Sequence, residues 1–360
     1  LKETLQELTE LFGPCGFEQD VVHYIVNRLE DQVDEWWVDG VGNLIMKKSG
    51  AQPGPRLIVS AHMDEVGFIV KKIEDNGLIR FEKLGGHDDR ILLAQQVKVG
   101  TEKGIVNGVI GTLSVHMMKF EDPTKVRRHA ELYIDVGVDS KAEAEQLGIQ
   151  VGDPITWATE QKEMAKDRII GKGFDDRAGC AVLLKAMEEL DFNKVNGEVY
   201  AVFSVQEEVG LRGAKVVVQQ IDADVALSID TTAVSDTPEA PMGQTMFLGA
   251  GPCIKVMDFS FIANPSVRKK LVECAKESNL PYQMEVFPGI GTDSGELHLG
   301  KKGVPTGGIS IPSRYTHSPI ELIDLKDLMN TKELLKSFIL NMRDSNEFSF
   351  YKKTINKRGM

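Results

Sequence analysis

Hydrophobic and polar positions along this chain change their rhythm twice. Over residues 1–12 apolar side chains alternate with Lys and Glu, which predicts an amphipathic helix. Val21, Val22, Ile25, Val26 and Leu29 follow at helical spacing and predict a second helix over 18–30. Short strands are expected over 33–38 and 43–48, either side of Asp39-Gly40. The unbroken apolar run 56–61 reads as a buried strand. The texture then becomes strand-like, over 68–73, 79–84, 96–99, 105–110 and 132–136, with turn signals such as Asp75-Asn76-Gly77 between runs. Only 141–147 suggests a short helix there. Residues 117–129 are polar, carry Lys119, Lys125, Arg127 and Arg128, and read as a long loop. From Gly171 strand and helix alternate again. Helices are expected over 177–190, 211–220, 265–278 and 325–342, and strands over 198–205, 225–229, 282–287 and 308–311. The basic tail 352–360 is expected to fray.

This order predicts an α/β fold with a mostly parallel central sheet flanked by helices. The α/β domain would comprise 1–66 and 167–360, interrupted by a small all-β domain, barrel or sandwich, over 67–166. The chain has 360 residues and is 42% hydrophobic, enough for a large core and too long for a disulfide-stapled module. There are 42 Lys and Arg against 54 Asp and Glu, a net charge of −12, so nucleic acid is an unexpected partner. The four cysteines, Cys15, Cys180, Cys253 and Cys274, lack CxxC spacing and read as reduced thiols. No apolar run reaches the roughly 20 residues of a membrane span, and the first residues lack the apolar centre of a signal peptide. No membrane partner and a cytoplasmic location are therefore expected.

Histidines and acids fall at telling places. His62 and Asp64 come directly after the strand over 56–61, and Asp175-Asp176 directly before a helix. Glu207-Glu208 follow the strand ending near Val205, Asp230 follows 225–229, and His317 follows the strand over 308–311. The edge where parallel strands end is where α/β sheets place their ligands. Singly, each motif has an ordinary reading: an Asp pair caps a helix, and a Glu pair is a solvated loop. Jointly, imidazoles and carboxylates at one edge suit a site for two divalent cations, with zinc, cobalt or manganese all compatible. One carboxylate can bridge cations about 3.5–4 Å apart, and such a pair activates a water and polarises a carbonyl. Of Glu207 and Glu208, one can be a ligand and the other a general base. Asp64 can orient the His62 ring. Of the other histidines, His23, His116 and His129 read as non-functional. His298 is expected in a short helix, and His87, among glycines, could approach the site from the β domain.

These motifs, in this order, resemble the TET-type aminopeptidases, metallopeptidase family forty-two, which includes glutamyl and leucyl aminopeptidases and some members labelled endoglucanase. The matching strings are Ser60-Ala-His-Met-Asp-Glu-Val-Gly67, Gly173-Phe-Asp-Asp-Arg-Ala-Gly179, Val205-Gln-Glu-Glu-Val-Gly-Leu-Arg-Gly213, Ile229-Asp230, Gly291-Thr-Asp-Ser-Gly295 and Arg314-Tyr-Thr-His-Ser318. The resemblance implies that Asp175 bridges two metal ions. His62 and Asp230 would complete one and Glu208 and His317 the other. It implies Glu207 as general base, Asp64 as partner of His62, and a cis bond between Asp175 and Asp176. Thr292 and Asp293 are expected to contact substrate. The loop departs from the Ala-rich residues expected after the Asp, which bears on pocket specificity. The resemblance further implies that the inserted β domain serves dimerisation, that the chain self-associates, with a tetrahedral dodecamer as one form, and that short peptides with a free N-terminus are the substrates. Rivals are a metal-dependent deacylase or deblocking hydrolase and a catalytically silent shell subunit. A glycosidase would use two carboxylates without metal, which the two histidines argue against.

Overall fold

Alternation along one strand sets the layout of the larger core. In the Gln52–His62 strand, Leu57, Val59 and Ala61 point to one face of the sheet and Ile58 to the other. The first face packs beneath the helices Lys2–Glu10, Gln19–Leu29, Phe174–Glu189, Pro265–Glu277 and Leu325–Asn341. The second packs against Arg212–Gln220 and Ser294–Leu297 through Ala214, Val217, Val218 and Leu297. With both faces covered, the strands are apolar almost throughout. A computed structural model of the chain supplies these coordinates and describes residues 1–120, 124–239 and 245–351. The basic tail 352–360 and residues 121–123 of the expected polar loop lie outside the described residues.

The large sheet runs Glu35–Val38, Leu44–Ser49, Asn196–Ser204, Gln52–His62, Val225–Ala233, Thr306–Arg314, Glu321–Asp324, Arg168–Gly171 and Lys162–Glu163. Cys253–Asp258 branches from Thr306–Arg314 and pairs with Gln283–Phe287. Along the main run, its four central strands, from Asn196–Ser204 to Thr306–Arg314, are mutually parallel. Both flanks are antiparallel. The expectation of a mostly parallel sheet therefore holds for the centre and for the branch pair Cys253–Asp258 and Gln283–Phe287, where helical crossovers separate the strands, and not for the flanks. The flanking strands Glu321–Asp324, Arg168–Gly171 and Lys162–Glu163 are too short to carry a periodic signal of their own.

Between the two halves of this sheet the chain closes an antiparallel barrel. Its strands run in the order Gly67–Ile73, Ile79–Leu84, Ile134–Asp135, Gly104–Ile110, Gln96–Thr101 and Pro154–Trp157, which returns to the first. Phe68, Phe81, Val97, Val99, Ile155 and Trp157 fill it, and the Phe68 ring meets Phe81 and Trp157 edge-on at 5.0 and 4.9 Å. The Pro154–Trp157 strand that completes closure has no signature in the sequence, because all of its residues are buried and no alternation marks them. After Trp157 the chain soon returns to the large sheet, since Lys162–Glu163 already pairs with Arg168–Gly171.

Candidate active site

His62 is the last residue of its strand, paired in register with Ser204 of the neighbour that leads to Glu207 and Glu208. Asp230 lies inside the Val225–Ala233 strand, which runs further than the apolar pattern indicates. Asp175 sits where the central helix has not yet taken helical angles, after Gly173 at φ 62°. Only glycine suits Gly173, since a Cβ there would meet the Glu65 carboxylate at 2.9 Å. The Asp175–Asp176 peptide is cis. His317 follows the Thr306–Arg314 strand with φ 61°.

These residues converge. His62 Nε2 lies 3.1 Å from Asp175 Oδ1 and 3.8 Å from Asp230 Oδ1. His317 Nε2 lies 3.1 Å from Glu208 Oε1 and 3.4 Å from Asp175 Oδ2. Three groups among the described residues are suited to a metal ion, His62–Asp175–Asp230, Asp175–Glu208–His317 and His62–Glu207–Glu208, and Asp175 belongs to the first two. The donor set fits a cation. Glu208 Oε1 is buried and accepts no hydrogen bond. His62 Nδ1 lies 3.0 Å from the Asp64 carbonyl oxygen, which favours the tautomer whose Nε2 lone pair is free for a ligand. The side chain of Glu207 is nearly buried at the same cavity, its Oε2 4.0 Å from His62 Nε2.

Electrostatics show how much negative charge is gathered here. Burial, reinforced by Asp230, Glu208 and Asp293, pushes the Glu207 carboxyl well above its ordinary value, against the pull of His62. Burial also raises Asp230, to about 7. Burial opposes charge on His62, but Asp175, Asp230 and Asp64 outweigh it and raise the imidazole well above the usual range. For Asp175 burial is outweighed by His317 and His62, which hold it below the usual carboxylate range.

Asp64 accepts the Glu207 N–H on Oδ1 at 3.0 Å and the Glu208 N–H on Oδ2 at 3.2 Å. Its carboxylate is 3.5 Å from His62 Nδ1, farther than its own carbonyl. Thr292 and Asp293, expected to contact substrate, do not line the cavity. Thr292 donates to Asp258 and Asp293 accepts from Ser204 at 2.6 Å, both side chains buried, while Gly289, Ile290 and Gly291 form that wall. The cavity, about 510 Å³, also takes in Gly86 from the barrel and Phe259. His87, next to Gly86, turns into the barrel and stacks on Phe68 at 4.5 Å. His23 and His116 are exposed, His129 pairs with Glu82, and His298 caps Ser294–Leu297. Glu321, which the motifs did not single out, accepts the backbone N–H groups of both Asp175 and His317. Its one trace in the sequence is its place four residues after His317.

Fold and site together define a peptide-bond hydrolase of the aminopeptidase class. The chain belongs to the M42 glutamyl aminopeptidase family, whose model matches residues 42–334. An aminopeptidase from the archaeon Desulfurococcus kamchatkensis superposes with a TM-score of 0.92 at 41% identity, over 99% of this chain and 98% of its own. The Pyrococcus horikoshii TET1 peptidase, which can assemble into a tetrahedron or a large octahedral shell, superposes with a TM-score of 0.87 at 32% identity, over 95% and 99%. The lysyl aminopeptidase of Pyrococcus furiosus is 33% identical over 344 residues, 95% of this chain and 97% of its own.

Proposed function

We propose that the chain is a dinuclear-metal aminopeptidase that hydrolyses the first peptide bond of short peptides with a free N-terminus. The observation that carries this is the sharing of Asp175 between two complete ligand groups. His62 and Asp230 would hold one divalent ion with it, and Glu208 and His317 the other, with zinc or cobalt the favoured metals and manganese compatible. When bound, such a pair lowers the pKa of water and polarises a carbonyl. Glu207 is no ligand in this arrangement and keeps its carboxylate for proton transfer. Its Oε2 takes the proton of the attacking water and delivers it to the nitrogen of the departing amine. Asp64 fixes the backbone on which Glu207 and Glu208 stand. Unpaired, buried cysteines support a reducing, cytoplasmic setting. Self-association through the inserted barrel belongs to the same proposal, supported by the assembly of the TET1 relative and by exposed Ile105 and Val109 on the barrel surface.

The test is amino-acid release from matched free and N-acetylated peptides, after chelation and again after adding zinc, cobalt or manganese. Release from free N-termini alone, lost on chelation and restored by metal, is expected. Release from acetylated peptides would replace this reading with the deacylase one. Silence with every metal would leave a shell subunit. Sedimentation equilibrium on the same protein is expected to show an oligomer, and a monomer at micromolar concentration would remove the self-association part.

A further inference from the structure

Asp175 and His317 come from distant parts of the sequence and neither lies in regular structure that would fix it. Asp175 has φ −79° and ψ 108° inside the first turn of a helix. His317 has φ 61°, in the left-handed region that few non-glycine residues occupy, and Tyr315 has φ 63°. Glu321 stands between them. Its carboxylate is 1% exposed, Oε2 accepts the Asp175 N–H at 2.9 Å and Oε1 accepts the His317 N–H at 2.9 Å. It is itself anchored by strand pairing to Gly171, shortly before Asp175. One rigid carboxylate thus ties together the backbones of two residues that must present their side chains to the same ion.

We propose that Glu321 is a positioning residue that sets the affinity of the site formed by Asp175, Glu208 and His317. The inference rests on the dinuclear reading above. No hydrogen bond links Glu321 to His62 or Asp230 among the described residues, so the other ion would feel its loss only through Asp175. Metal ligation depends on such supporting contacts, and losing one typically weakens binding about 10–100-fold.

The discriminating variant is Glu321→Gln, which keeps the size but offers one acceptor oxygen where two N–H groups need acceptors. Cobalt titration of the metal-free protein would be followed by calorimetry and by visible absorption. Two sites are expected in the wild type. In the variant one should weaken about 10–100-fold with a changed absorption band, while the other moves less than about threefold. Near-ultraviolet circular dichroism checks the fold. Should the Gln variant not fold, Glu321→Asp keeps both acceptors on a shorter arm and should weaken the same single site. Two unchanged sites, or two equally weakened ones in a folded variant, would overturn the positioning role alone. Fewer than two sites in the wild type would overturn the dinuclear reading and this role with it.

Discussion

Asp64 shows how a carboxylate can organise a site without meeting the substrate. Fully buried, it spends each oxygen on the N–H of one of two adjacent glutamates. Burial works against its charge, but His62 and the Glu207 N–H hold its pKa below the ordinary value, so it stays a double acceptor. Asparagine in its place turns an NH₂ group towards one of those N–H groups and leaves a buried donor unpaired, at a cost of about 1–3 kcal/mol. Asp64→Asn should lower kcat about 10–100-fold with KM changed less than about threefold, because it displaces Glu207 rather than the cavity wall. Steady-state kinetics on a free-amine peptide decide this, and an unaltered kcat would leave Asp64 a purely structural residue. The ligand candidates could be read from the sequence because their chemistry is in their side chains and each sits beside an apolar run. Glu321 could not, because it acts on backbone N–H groups, and any acid of suitable reach would look the same in one sequence. The burial of Thr292 and Asp293 is hidden in the sequence for a related reason. A loop sequence shows which residues could bond substrate, not which of them the chain turns inward.

At the level of elements, long helices and central strands were legible because their periodicity or apolar run is several residues deep. The run over 132–136 marks a strand, of which only Ile134–Asp135 pairs, whereas the four-residue Pro154–Trp157 carries no such signal, and barrel closure depends on both. The barrel also packs a titratable group against its core. His87 stacks on Phe68 and meets Trp157 edge-on at 5.6 Å, and its Nε2 lies 2.9 Å from the Gly67 carbonyl oxygen. Its Nδ1 is buried without a partner. Burial lowers its pKa from 6.5 to about 4. Below pH 6.5 the unfolded chain gains a proton that the folded chain refuses, so the contribution is intact above 6.5 and is lost as pH falls towards 4. The loss between pH 7.5 and 5 comes to about 2 kcal/mol. Denaturant unfolding of the wild type and of His87→Phe, which keeps the stacking, should show a shallower acid decline in the variant by about that amount. Parallel declines would mean that His87 takes up its proton in the folded barrel.

The molecule as a whole is held together where its ligand candidates meet. His62, Asp175, Glu208, Asp230 and His317 come from separate segments of the large sheet and its central helix, and the barrel reaches the same cavity through Gly86. Arg177, two residues past Asp175, adds a further tie. Wholly buried, it donates to the carbonyl oxygens of Leu8 and Met63 at 2.6 Å and of Gly13 at 3.1 Å, binding the first helix to the strand end that carries His62. No short piece of the chain contains a complete ligand group, so cation binding in the proposed site is available to the native state alone. Anything that binds only the native state stabilises it by mass action, by about 2.7 kcal/mol at a free concentration one hundred times Kd. In a chain of this length that corresponds to about 3–5 °C in melting temperature. The cation would also offset the burial, and the repulsion between neighbouring carboxylates, that raise Glu207, Glu208 and Asp230 above their ordinary values. Chelation should therefore lower the melting temperature, and zinc or cobalt should restore it in a concentration-dependent way. Calcium should do so less well, because the two histidines favour a softer ion than one that prefers an all-oxygen shell. A melting curve indifferent to chelator and to zinc would mean that the five side chains are held by the fold alone, and the metal reading of the site would then fail with the fold still intact.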